Sequence, residues 1–336
     1  MLADTILAFP QTPFARLVLP DVHHRLAWKT FTSRLETAHR FSLQRDAAQM
    51  ILGISQSSPK RFQQALGVCR LPFRRMWIEF AFKDRMAWLE QDSQHNMHVV
   101  KHEDAPPPQR LGFYLEQLDD NGRKFFFQPA WVHPDGATSI CQLGIVINTD
   151  PNLVIDIGEH DDAWRKKAER GWSDAWIDNP DEVRALLEME KRIEIVIPKW
   201  NKPIWDHLAE KCSKNTLERM FDLAIYDLRS EWRFVLGLLT TLNSRNVVQI
   251  SDTVDNRKIN KARARTGKAP LLDHSEIRLA LSHAQRMRIA VGGNRGPVSA
   301  SHVRGHFKLR KSGLWWWSDH LRGGNVVFPK VYDVRA

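Results

Sequence analysis

The chain has 336 residues, 43% of them apolar, and its 13 Trp and 16 Phe supply enough core material to exclude wholesale disorder and to build one or two folded units. Three cysteines, Cys69, Cys141 and Cys212, include no CxxC pair, which excludes a disulfide scaffold and a cysteine-rich zinc module. The net charge of +10 is unevenly held: residues 257–336 carry 17 Lys/Arg against four acids, a net of +13, leaving −3 on residues 1–256.

The first residues lack a basic segment leading into an apolar stretch, so they do not read as a signal peptide. No run reaches the roughly 18 apolar residues of a membrane-spanning helix. A soluble protein of a reducing cytoplasm is expected, with no membrane contact and no cofactor.

Leu35, Ala38, Phe41, Leu43, Ala47, Met50, Ile51 and Ile54 recur near helical spacing, and Ser33 with Glu36 fits a capping box, so a helix is predicted over Ser33–Ile54. The second half of Arg70–Phe82 alternates as a strand, and Ala105-Pro-Pro-Pro108 is a break. Gly112–Leu118 and Arg123–Val132, joined through Asn121-Gly122, predict a β-hairpin, because the turn needs positive φ. Strands are expected again within Ser139–Asn148, at Leu153–Ile157 and at Arg192–Ile197. Between the last two, Asn179-Pro180-Asp181-Glu182 begins a helix with a cap, a first-turn proline and acids at the positive end of the dipole. One apolar stripe runs from Thr216 to Leu242, predicting a spine helix about 40 Å long at 1.5 Å per residue.

After Val247–Ile250 the character changes. Asn256–Pro270 is basic and poor in large apolar groups, fitting a linker or surface arm, and the remainder shows short strands separated by glycine turns. The predicted architecture is α+β: a mixed or antiparallel sheet with a long amphipathic helix over residues 1–250, a basic linker over 251–272 and a small basic β-rich module over 273–336.

The cations of this region are the candidate binding residues: Arg257, Lys258, Lys261, Arg263, Arg265, Lys268, Arg304, Lys308, Arg310, Lys311 and Arg322. A concentrated positive field draws in polyanions, because each phosphate neutralised releases condensed counterions. If Phe307–Lys311 pairs with Leu314–Trp317, His306, Lys308 and Arg310 share one face, and nearby indoles suit stacking on unpaired bases. Three histidines, His302, His306 and His320, with Arg304, are the catalytic candidates, either as metal ligands or in metal-independent RNA cleavage. The acidic set Asp156, Glu159, Asp161 and Asp162 reads as a solvated loop, and Gly292–Gly296 as a turn.

Leu71-Pro-Phe73 with Met76-Trp-Ile-Glu79, and Ala262–Pro270 with Ser301–Phe307 and Trp315–Gly323, resemble segments of uncharacterised proteins of tailed bacteriophages and prophages. That resemblance implies a phage-like origin in a bacterial host cell and carries over no activity. The functional expectation is a non-enzymatic protein that binds DNA or RNA through backbone phosphates. Two alternatives stand beside it: an inhibitory or interaction factor docking on an acidic host protein, and a ribonuclease using the C-terminal His and Arg residues.

Overall fold

The computed structural model describes residues 1–11, 21–55, 58–84, 107–155, 179–228, 231–244, 247–250, 253–268, 270–279, 301–303, 306–310, 313–317 and 320–322. The chain begins with α1 (Leu2–Ala8) and α2 (Val22–Glu36), then β1 (His39–Leu43), α3 (Arg45–Ser55), α4 (Pro59–Ala65) and β2 (Arg75–Ala81). The hairpin β3 (Arg110–Gln117) and β4 (Lys124–Val132) is followed by β5 (Thr138–Ile140), β6 (Gly144–Asn148), α5 (Pro180–Glu190) and β7 (Ile193–Val196). Next come α6 (Lys202–Lys211), α7 (Lys214–Leu228), α8 (Glu231–Asn243), β8 (Val248–Ile250), α9 (Arg257–Arg265) and β9 (Ser275–Leu279).

These strands form one nine-stranded sheet of order β7-β6-β4-β3-β2-β1-β9-β8, with β5 beside β4. It is mixed, because β1 runs parallel to both β2 and β9 while the other pairs are antiparallel. The predicted hairpin is present. Gly122 has φ 71°, and an added Cβ there would meet the Leu71 carbonyl at 2.5 Å, so the turn demands glycine twice over.

Strand alternation sorts the core into two layers. Met76, Ile78, Phe80, Phe113, Leu115, Phe125 and Phe127 face a cluster that includes Ile51 of α3, Leu186 of α5 and Phe234 of α8. Trp77, Tyr114 and Phe126 face α1 and α2 on the other side, against Ile6, Trp28, Phe31 and Leu35. No helix among the described residues is long and apolar enough to cross a membrane.

Two local expectations are corrected. The helix predicted over Ser33–Ile54 is the end of α2, then β1, then most of α3. Ser33 does not cap a helix start; its hydroxyl donates to the Thr30 carbonyl in the last turns of α2. The start is capped by Asp21, whose carboxylate accepts the His24 N–H at 3.0 Å. That bond, with the His24 ring, holds the Asp21 pKa down to about 2. Between the helices Phe41 and Leu43 alternate into the core, and parallel pairing with β2 and β9 outweighs a helical spacing that five residues match by chance. Residues 153–155 are likewise not strand: the Asp150 carboxylate accepts the Asn152 N–H, the Asp150 carbonyl accepts the Leu153 N–H, and Val154 stands 91% exposed in this turn. The stripe over Thr216–Leu242 lies on α7 and α8, and residues 229–230 between them fall outside the described residues.

On the α1 side, Glu79 is fully buried, with 0% exposure. Its carboxylate accepts the first-turn N–H groups of α1, Leu2 at 2.7 Å and Ala3 at 3.0 Å, and the Trp77 indole N–H at 2.9 Å. The Arg110 guanidinium completes the shell, Nε at 3.0 Å and Nη2 at 2.8 Å. Helix starts leave such amides without partners, so a sheet carboxylate both satisfies them and fixes where α1 lies. Gly112, opposite Glu79 in the register, gives the Trp77 ring its room, since a Cβ there would lie 2.2 Å from the indole. Replacing Glu79 with Ala strands these donors and is expected to cost about 3–5 kcal/mol in urea unfolding. Gly112→Ala, which must displace Trp77, is expected to cost about 1–3 kcal/mol. Unchanged midpoints for both would refute this anchoring.

Candidate nucleic-acid interface

Within the segment read as a basic linker, residues Arg257–Arg265 form helix α9, and none of its residues is buried. A nine-residue helix with no buried face gains nothing from a core and must be held by other means. The structure supplies a polar clasp. The Asn260 side chain donates to the Leu271 carbonyl at 2.8 Å and accepts the Leu271 N–H at 2.7 Å. One turn earlier, the Asn256 amide donates to the Leu272 carbonyl at 2.9 Å, and its backbone N–H donates to the Asp273 carboxylate at 2.9 Å.

The clasped segment is fixed in turn to the body of the fold. Leu272 donates its N–H to the Asp4 carboxylate of α1 at 2.6 Å, and its side chain packs on the α1–α2 core cluster. Arg40 of β1 donates from Nε to the Asp273 carbonyl at 2.8 Å and from Nη1 to the Glu36 carbonyl at 2.9 Å, closing the end of α2. Ahead of α9, Asp255 accepts the Arg257 N–H at 2.9 Å and pairs with its guanidinium at 2.7 Å. The pairing lowers the pKa of Asp255 and raises that of Arg257. The helix stops at Gly267, φ 67°, with the Gly267 and Lys268 N–H groups closing on the Ala264 and Arg263 carbonyls.

This attachment sorts the cations. At about 100° per residue, Arg257, Lys258, Lys261 and Arg265 fall within one arc about 100° wide, while Asn256, Asn260 and Arg263 lie on the clasp side. All four stripe cations are exposed, as is Lys268, whereas Arg263 is half-buried. Arg257 is engaged by Asp255, and Lys258, Lys261 and Arg265 make no ion pair among the described residues.

The other sequence candidates fall in two ribbons. β10 (Ser301–Val303) pairs with β13 (His320–Arg322), and β11 (His306–Arg310) pairs with β12 (Gly313–Trp317). The expected pairing of the Phe307 and Trp315 segments is therefore present. Its register sets Lys308 opposite Trp315 and His306 opposite Trp317, so His306, Lys308, Arg310, Trp315 and Trp317 share one ribbon face. In the other ribbon Val303 opposes His320 and His302 opposes Leu321, so His302 and His320 lie on opposite faces. Arg322 opposes Ser301. Arg304 and Lys311 lie outside the described residues, as do Asp156, Glu159, Asp161, Asp162 and Gly292–Gly296. Among the described residues, no three His, Cys, Asp or Glu side chains gather as a metal ion requires.

β9, assigned from sequence to the C-terminal module, follows α9 in the chain and pairs with β1 and β8 in the main sheet. Sequence reasoning missed Asn256, Asn260 and Asp4, the residues that orient the basic helix. The available signal was two asparagines four apart, one helical turn, followed by a glycine stop. Comparison with protein families, curated proteins and solved structures finds no match for this chain.

Asn260→Ala removes both bonds to Leu271 and is expected to loosen α9 by about 1–3 kcal/mol. Hydrogen exchange of the 257–265 amides is the readout: they should exchange roughly ten- to a hundredfold faster while β1–β4 keep their protection. Equal exchange in the variant and the parent would show that the clasp does not hold the helix.

Proposed function

We propose that this chain is a non-enzymatic protein that binds DNA or RNA through backbone phosphates, using α9 and the basic ribbon face. The observation that carries the reading is the outward stripe of Lys258, Lys261 and Arg265, exposed, without an ion pair among the described residues, and mounted on a helix whose other side is clasped to the fold. Long cationic side chains that end in water meet phosphate without first losing another partner. A helix also holds them about one turn apart, so less freedom is lost on binding than from a disordered arm. The β11–β12 register adds Lys308 opposite Trp315 and His306 opposite Trp317, and cation with aromatic ring is the combination that single strands use. Contacts of this kind imply weak sequence selectivity and steep salt dependence. The setting that fits this reading is the cytoplasm of a bacterial host cell.

The test is fluorescence anisotropy with labelled duplex and single-stranded oligonucleotides across a salt series. Lys258→Ala, Lys261→Ala and Arg265→Ala combined should weaken duplex binding and lower the slope of log K against log salt by about 2–3. Substituting Lys60, Lys202 and Lys214, which already pair with Asp181, Asp206 and Glu218, should leave the slope unchanged. No retention of any oligonucleotide at low salt, or an unaltered slope in the stripe variant, would remove this function.

A further inference from the structure

The way α9 is attached gives it a shape as well as a charge. Of its nine residues, seven are exposed, and the other two, Asn260 and Arg263, are half-buried. At about 100° per residue the exposed positions sweep about 220° of the circumference, from Ala264 through Arg257 to Ile259. Asn260 holds Leu271 on the remaining side, so the helix lies on the surface as a ridge.

The two flanks of the ridge differ. Arg257, Lys258, Lys261 and Arg265 fill one, and no Asp or Glu occurs anywhere in the helix. Ala262 and Ile259 lie beyond Lys258, by about 40° and 100°, and form an uncharged flank. Ile259 is 52% exposed, so its side chain contributes little to a core. A β-branched residue is not favoured by helix propensity either. An aliphatic side chain that serves neither packing nor propensity, set beside a row of cations, points to an apolar group on the partner.

We propose, resting on the nucleic-acid reading above, that α9 seats in the major groove of B-form duplex DNA. The cationic flank meets the phosphates of one strand, while Ala262 and Ile259 meet thymine methyl groups on the groove floor. The dimensions agree: a helix with its side chains is about 10–12 Å across, and the major groove of B-DNA is about 12 Å wide and 8.5 Å deep. The thymine methyl is the apolar group that the major groove presents, and small or aliphatic side chains are its usual contacts. The deep, narrow major groove of an RNA duplex does not admit side chains, and uracil lacks the methyl.

The test is fluorescence anisotropy on the full chain at one salt concentration, with three duplexes of a single A·T-rich sequence: DNA, the same DNA with uracil in place of every thymine, and RNA. Uracil substitution keeps the charge and removes only methyl groups, and it should weaken binding about four- to fifteenfold, as expected for losing one or two buried methyls. The RNA duplex should bind more weakly than either DNA. Ile259→Ala should shrink the thymine-to-uracil ratio at least about threefold while leaving the salt slope and the unfolding midpoint unchanged, since Ile259 is exposed. Ile259→Leu should retain the ratio. Equal affinity for the two DNA duplexes, a ratio undiminished in Ile259→Ala, or RNA bound as tightly as DNA would overturn the groove seating. The stripe variant reports phosphate contact separately through its salt slope. A reduced slope without a thymine ratio therefore removes only this seating, whereas no binding to any duplex removes it together with the function it rests on.

Discussion

A buried carboxylate in the middle of a sheet is costly unless every lone pair is met, and Glu79 meets that condition with donors from α1, Trp77 and Arg110. The consequence reaches well beyond Glu79. By taking the first amides of α1, it fixes that helix, and α1 presents Asp4 to the Leu272 N–H. Leu271 and Leu272 then hold Asn260 and Asn256, which hold α9. A continuous polar relay therefore runs from the centre of the sheet to the most basic helix among the described residues. The apolar cores supply the bulk of the folding energy, while this relay determines where the charge is displayed.

The two modes of attachment give the two parts of the molecule different properties. Elements over the core, such as β3, β4 and α8, are fixed by apolar burial. Helix α9 rests on a handful of hydrogen bonds, which leaves Arg257, Lys258, Lys261 and Arg265 exposed on its outer side. A core-packed helix would have spent half its circumference on apolar contacts and carried fewer charges per turn. The same arrangement makes α9 the element most sensitive to loss of a single amide side chain.

Legibility in the sequence followed the physics of each element. The β3–β4 hairpin could be read because Asn121-Gly122 states a backbone conformation that few residue pairs adopt. Helix α5 could be read because Asn179 and Pro180 mark its start, and the Asn179 side chain indeed accepts the Asp181 N–H. β1 was hidden because five residues between two helices match either period, and only parallel partners from positions 75–81 and 275–279 decide it. α9 was hidden for the opposite reason: with no apolar stripe, its helical state depends on clasp partners and a glycine stop rather than on periodicity. The positive region was plain from charge counting, but its division into a free stripe and a clasped side needed coordinates.

The most direct measurement of the central claim is hydrogen exchange, read by mass spectrometry, on the protein with and without a saturating oligonucleotide at low salt. The account predicts new protection concentrated in residues 257–268 and 306–317, with β2–β4 unchanged. Protection confined to other segments, or none at a concentration where anisotropy reports binding, would contradict it.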